Sequence, residues 1–200
     1  GDIDLTVSGG QSDWLGIPSS VCIHSNPSNY LENGYSINNG YSVASDLTVN
    51  PAEDYSLNKI TANIFMDYGS TLTSVTVNYY DDIGGLPGSV IGTEFLTPSS
   101  QTYIGSNYGY DVSEVVFDVT PFTFVAQNSA STTYWVELVN CVNSYGGYSY
   151  WESTSASYNG FGSYQYDGWS WTSIAGDCVY EFEGVCNPGA GSWTSIPNTF

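Results

Sequence analysis

The chain has 200 residues, of which 41% are hydrophobic and 16% aromatic, so it is large and apolar enough for one domain with a real core. Twenty acidic residues face a single basic one, Lys59, which gives a formal net charge of −19. Since nucleic-acid affinity comes mainly from Lys and Arg, this charge excludes most nucleic-acid binding and argues against docking on anionic lipid. No apolar stretch approaches the roughly 18 residues of a membrane-spanning helix.

The first predicted element is a short strand over residues 2–7. Ile3, Leu5 and Val7 alternate with polar residues, and a Gly-rich joint follows at residues 8–12. The strand has two candidate positions: the first strand of its own sandwich, or an edge of a neighbouring copy, where Ile3, Leu5 and Val7 form the subunit contact. We divide the chain into an N-terminal strand and joint (1–12), a sandwich domain (13–186) and a C-terminal tail (187–200).

The middle of the chain shows strand periodicity and almost no helix periodicity. Apolar residues alternate with polar ones in five runs, at residues 60–66, 71–80, 114–119, 132–140 and 178–183. Turn sequences rich in Gly, Pro, Asn and Ser separate these runs, at residues 82–88, 97–100 and 126–130. Many short strands with regular turns predict an all-β fold, and the long irregular connections favour a jelly-roll-type antiparallel β-sandwich.

Four cysteines, Cys22, Cys141, Cys178 and Cys186, include no C-x-x-C pair, which favours disulfides in an oxidising compartment over a metal site. Cys178 and Cys186 flank one predicted strand, whose length keeps them too far apart to bond to each other. If the strand that ends at Cys141 is the antiparallel neighbour of the strand that begins at Cys178, these two cysteines pair. The sequence therefore predicts Cys141–Cys178 and Cys22–Cys186 disulfides.

Several segments share their order and spacing with a known kind of module. They lie at residues 26–35, 43–49, 77–92, 105–112, 133–138 and 177–184. Together they resemble a β-sandwich module common in secreted and surface proteins of the Bacteroidetes, often exported by the type IX route. The resemblance spans residues 21–186 and implies the fold and a secreted, extracellular or cell-surface location for a mature, processed chain. Such modules are mostly of unknown function, so the resemblance implies no catalytic residues.

Catalytic and metal-binding patterns are sparse. The single His24 is better explained as a structural residue than as the base of a triad, and the sequence does not select the two carboxylates that glycoside hydrolysis needs. Ca²⁺ is the one candidate cofactor, with Asp81 and Asp82 in a Gly-rich turn as its candidate ligands. The alternative is that these two acids form the turn and add solubilising charge.

Aromatic residues are dense between residues 145 and 171, where Gly and Ser separate them. Three interpretations stay open: rings that stack on sugars, rings that pack in the core, and a protein interface. The candidate ligand-binding residues are Tyr150, Trp151, Tyr164, Tyr166, Trp169 and Trp171.

The sequence as a whole predicts a non-enzymatic extracellular structural or adhesion subunit. In this interpretation copies of the chain join head to tail by strand complementation into a surface filament. A carbohydrate-binding module that uses the aromatic region is the alternative, and a glycoside-active enzyme comes third. The expected partners are other copies of the chain or a glycan, without nucleic acid and without membrane insertion.

Overall fold

A computed structural model describes residues 19–157 and 159–188 of the chain. Every regular element within these residues is a β-strand. In chain order the strands are β1 (Ser20–Asn26), β2 (Asn33–Ser36), β3 (Ser42–Val49), β4 (Glu53–Met66), β5 (Leu72–Asp82), β6 (Pro87–Leu96), β7 (Ser100–Asn107), β8 (Tyr110–Phe124), β9 (Thr132–Asn143), β10 (Ser149–Thr154), β11 (Ser163–Tyr166), β12 (Trp171–Ser173), β13 (Asp177–Cys178) and β14 (Tyr180–Pro188).

The described strands form two antiparallel sheets. The long strand β4 is central to the first sheet, where β8 pairs along one side and β14 along the other. β7 extends this sheet beyond β8, β1 extends it beyond β14, and β10 pairs with the last residues of β4 and with β2 and β13. The second sheet has the order β12-β11-β3-β9-β5-β6. The predicted all-β antiparallel sandwich of jelly-roll type is confirmed.

The core is made of the side chains that the alternating runs turn towards one face. Because successive side chains of a strand point to opposite sides, each run supplies a row of apolar residues to the space between the sheets. Buried members of these rows are Ile60, Ala62, Ile64, Met66, Val75, Val77, Tyr79, Val115, Phe117, Val136, Leu138 and Phe182. The same alternation turns the intervening residues of the second sheet outward, where the candidate site lies.

One of the two predicted disulfides is present. Cys22 and Cys186 are bonded, with their Cα atoms 5.7 Å apart, because β1 and β14 are antiparallel neighbours. The predicted Cys141–Cys178 disulfide is wrong, since both residues are buried free thiols. Cys141 lies on β9, which pairs with β3 and β5 in the second sheet, whereas Cys178 lies on β13, which pairs with β10 in the first. The assumed pairing between their strands does not occur.

Two predicted parts of the chain lie largely or wholly outside the described residues. The N-terminal strand with Ile3, Leu5 and Val7 is one of them, and the C-terminal tail is described only for residues 187 and 188, which belong to β14. Among the described residues, no helix has the length and apolar character to cross a membrane.

The cysteine pairing leads to a direct test with trypsin, for which Lys59 is the single site. Cleavage separates Cys22 from the other three cysteines, so the two fragments should stay joined without reductant and separate with it.

Alkylation in denaturant without reductant should modify Cys141 and Cys178. The native protein should resist alkylation, because burial shields both thiols and raises their pKa. Fragments that separate without reductant, or a denatured chain with no free thiol, would contradict the structure.

Candidate functional site

The outer face of the second sheet carries rows of polar and aromatic side chains. The register of the strands defines these rows, because residues directly opposite each other in an antiparallel pair share a face. One row runs through Val139, Ser42, Tyr166 and Trp171 on β9, β3, β11 and β12. The next row places Asn78 of β5 beside Glu137 of β9, and Tyr80 follows on the same face of β5. The face is therefore polar and aromatic at once.

A tight hairpin between β11 and β12 positions two of the rings. Tyr166 and Trp171 are opposite each other at the base of the hairpin. In the turn, Asp167 Oδ1 accepts hydrogen bonds from the backbone N–H groups of Trp169 and Ser170, at 2.9 and 3.0 Å. These bonds favour the ionised carboxylate and lower the pKa of Asp167. Because the turn is closed by its own hydrogen bonds, it holds both rings at the edge of the sheet.

These side chains enclose a cleft of about 460 Å³, which we call the aromatic cleft. The Tyr80 and Trp171 rings are 5.9 Å apart and nearly perpendicular, and the Tyr166 and Trp171 rings are 5.2 Å apart and tilted by 46°. The cleft is lined by Gly40, Tyr41, Ser42, Asn78, Tyr80, Glu137, Val139, Asn140, Tyr166 and Trp171.

The floor of the aromatic cleft is polar and contains a carboxylate. Glu137 Oε2 accepts a hydrogen bond from Asn78 Nδ2 at 2.6 Å and another from the Tyr80 hydroxyl at 2.7 Å. Burial, together with the negative charge of Glu137, raises the pKa of Tyr80. Ser42 Oγ is buried and has no hydrogen-bond partner within the structure.

The structure separates the residues predicted to bind a ligand. Tyr166 and Trp171 line the aromatic cleft, and Trp169, which is 91% exposed, lies in the adjacent hairpin turn. Tyr164 packs edge-on against Trp135, with ring centroids 5.4 Å apart. These four residues therefore belong to the second sheet or to its hairpin.

The other two candidates lie on β10, in the first sheet. Tyr150 is part of a separate group of tyrosines: its hydroxyl is 3.4 Å from that of Tyr110, and its ring stacks on Tyr148. The prediction that Trp151 binds a ligand is wrong, because this residue is fully buried in the core and its Nε1 donates to the carbonyl of Val179. A side chain in that position is out of reach of a surface ligand.

Sequence reasoning predicted only two of the ten residues that line the aromatic cleft, Tyr166 and Trp171. Asn78, Tyr80 and Glu137 lie in runs that were recognised as strands, on the faces opposite the apolar residues. The alternation of apolar and polar residues therefore indicated that Asn78 and Tyr80 share one face of β5 and that Glu137 lies opposite the apolar face of β9. It did not place β5 and β9 in the same sheet as β11 and β12, the strands that carry Tyr166 and Trp171.

Asp81 and Asp82 make hydrogen bonds that shape the turn after β5. Asp82 Oδ1 accepts from Trp135 Nε1 at 3.0 Å and its Oδ2 accepts from the Gly85 backbone at 3.1 Å, while Asp81 accepts from the Ser89 backbone. The one group of three metal-ligating side chains in the part of the chain that the structure describes is elsewhere, at Cys22, Glu53 and Cys186. Two of these residues form the disulfide. The hydrogen bonds therefore favour the turn-forming interpretation of Asp81 and Asp82.

Two buried carboxylates bind the segment 159–162, which covers the other half of the outer face of the second sheet. Asp46 Oδ2 accepts from the Phe161 backbone at 2.9 Å, and Asp177 Oδ2 accepts from the Asn159 backbone at 3.0 Å. The Phe161 ring stacks on Trp135, with centroids 6.4 Å apart. Asp46 Oδ1 is buried without a partner, and burial, with a smaller effect of the Asp177 charge, raises the pKa of Asp46 to about 7. Asp46 therefore favours its protonated form at mildly acidic pH.

The raised pKa of Asp46 predicts a stability that declines as the pH rises. Between the ordinary value of 3.8 and about 7, the folded chain binds this proton more tightly than the unfolded chain. The free energy of unfolding should then fall by up to about 1.4 kcal/mol per pH unit in that window. Asp46→Asn should flatten this slope and raise the melting temperature at pH 8. The matched control is Glu114→Gln, an exposed acid on β8. Equal slopes for Asp46→Asn and the unsubstituted protein, measured by thermal unfolding from pH 4 to 8, would contradict the assignment.

Comparison with known proteins assigns no family. No protein-family model matches the chain, and the curated proteins give no match either. The function is therefore inferred from the geometry of the aromatic cleft.

Proposed function

We propose that this protein is a non-enzymatic, extracellular carbohydrate-binding module, and that the aromatic cleft is its sugar-binding site. The observation that carries the proposal is the combination in one cleft of four aromatic residues with a polar floor: Tyr41, Tyr80, Tyr166 and Trp171. Aromatic faces pack against the apolar faces of sugar rings, while hydroxyl, amide and carboxylate groups bind the sugar hydroxyls. The Cys22–Cys186 disulfide is consistent with an oxidising, extracellular location.

The carboxylate content of the aromatic cleft favours binding over hydrolysis. Glycoside hydrolysis generally uses two carboxylates on either side of the scissile bond. Among the described residues that line the cleft, Glu137 is the single carboxylate, and it is engaged by Asn78 and Tyr80. A ligand in this position would meet hydrogen-bonding groups but not a pair of acid and nucleophile.

Trp171→Ala is the direct test of this proposal. The substitution removes the ring that contacts both Tyr80 and Tyr166, so affinity for a glycan found on an array should fall at least about tenfold, measured by calorimetry. The matched control is Tyr103→Ala, an exposed aromatic residue on β7 of the other sheet, which should leave the affinity unchanged. Binding that survives Trp171→Ala, or that is lost equally in the control, would contradict the proposal.

A second candidate function, that of an assembling subunit, is favoured by strand β6. This strand ends the second sheet, pairs only with β5 among the described strands, and exposes Val90, Ile91 and Phe95. An apolar edge strand is a template for pairing with another chain. The proposed occupant is residues 2–7 of a second copy, whose apolar residues alternate.

Assembly can be tested separately from sugar binding. Phe95→Lys and deletion of residues 1–8 should each abolish filaments in negative-stain images and yield monomers by light scattering, because they change the two partners of one contact. Val21→Lys, on the β1 edge of the other sheet, is the control. A protein that stays monomeric at every salt and Ca²⁺ concentration would count against assembly.

A further inference from the structure

The aromatic cleft contains a carboxylate that no cation of the described residues neutralises. Glu137 is only 3% exposed, and both of its hydrogen-bond donors, Asn78 and Tyr80, are neutral. Lys59, the one residue in the sequence that is Lys or Arg, lies on the first sheet and is paired with Glu183 at 2.8 Å. Buried carboxylates are normally paired with a cation or a metal ion. Glu137 therefore lacks the counter-charge that its position calls for.

The hydrogen bonds of Glu137 leave one of its oxygens available. Both donors converge on Oε2, and within residues 19–157 and 159–188 no hydrogen bond ends on Oε1. The available oxygen belongs to a residue that lines the aromatic cleft. A donor that carries positive charge would be its strongest partner.

The rings of the aromatic cleft add to the attraction for a cation. The faces of Tyr and Trp carry negative potential, and an ammonium group near such faces is attracted to them. Trp171 lies within 6 Å of both Tyr80 and Tyr166, ring centroid to ring centroid. Three rings beside one carboxylate form a site that suits an ammonium group on an otherwise apolar and hydroxylated ligand.

We propose that the aromatic cleft selects amino sugars with a free, protonated amine, which places the ammonium group at Glu137 and the sugar ring against Trp171. This inference rests on the proposed function, because it names the class of sugar bound at the same site. The net charge of −19 acts in the same direction over a longer range. It attracts polycationic glycans and repels glycans that carry uronic acids or sulfate.

The decisive comparison uses the unsubstituted protein with two ligands that differ in one group. Glucosamine oligomers and N-acetylglucosamine oligomers of equal length are titrated by calorimetry at pH 6, where the free amines carry protons. We expect the free-amine oligomer to bind at least about tenfold more tightly, because acetylation removes the positive charge that pairs with Glu137. Equal or tighter binding of the acetylated oligomer would overturn the inference.

Variants then separate the specific contact from general charge attraction. Glu137→Gln keeps an acceptor for Asn78 and Tyr80 and should weaken the glucosamine oligomer about tenfold without weakening the acetylated one. Glu114→Gln makes the same chemical change on the outer surface of the other sheet and should have no effect. Oligolysine of equal charge is the probe for non-specific attraction. If Glu137→Gln has no effect, or weakens oligolysine and the glucosamine oligomer alike, the inference is wrong.

The outcomes distinguish this inference from the proposal on which it rests. If neutral oligosaccharides bind and Trp171→Ala abolishes their binding, the aromatic cleft is a sugar site without amine selectivity. If neither the glucosamine oligomer nor any neutral oligosaccharide on the array binds, both the inference and the proposed function fail.

Discussion

Among the described residues, the carboxylates inside this sandwich have no cation to pair with, because the sequence has one Lys and no Arg for 20 acidic residues. Neutral donors hold them instead. Asp177 Oδ1 accepts from the hydroxyls of Ser45 and Ser163, and Glu152 accepts from Ser28 and Asn63. A buried carboxylate is tolerated only when such donors satisfy it. The fold therefore depends on hydroxyl, amide and backbone N–H groups in the positions that arginine and lysine occupy in many other proteins.

These hydrogen bonds also connect distant parts of the chain. The Ser45–Asp177 bond spans 132 residues in sequence, and the Ser28–Glu152 bond spans 124. They reinforce a sandwich in which the Cys22–Cys186 disulfide, with a separation of 164 residues, already joins the first and last described strands. The consequence is electrostatic: with neutral donors alone, desolvation outweighs the hydrogen bonds and raises the pKa values of Asp177 and Glu152. Because the folded chain binds these protons more tightly than the unfolded chain, acidic pH favours the folded state.

Local patterns predicted the strands well and their neighbours poorly. Alternation in residues 60–66 predicted the inward row of β4, since the face of a strand is set by consecutive residues. Pairing between distant strands leaves no such local signal, which is why Cys141 and Cys178 were assigned to adjacent strands although they lie in different sheets. For the same reason, the sequence analysis assigned Trp151 and Trp171 to one candidate site. They are close in sequence, but Trp151 is in the core and Trp171 lines the aromatic cleft.

The shortage of cations has different consequences for Asp46 and Glu137, two carboxylates on the outer face of the second sheet. Both belong to the outer face of the second sheet, opposite Trp135 and Ala44 respectively in the pairing of β3 with β9. Residues 159–162 cover Asp46, whose Oδ2 accepts from a backbone N–H. Glu137 lines the aromatic cleft and accepts from Asn78 and Tyr80 through Oε2, while no hydrogen bond within the described residues ends on Oε1. A chain so poor in cations covers one carboxylate, Asp46, with its own backbone, and the proposed amine ligand would supply the counter-charge of the other, Glu137.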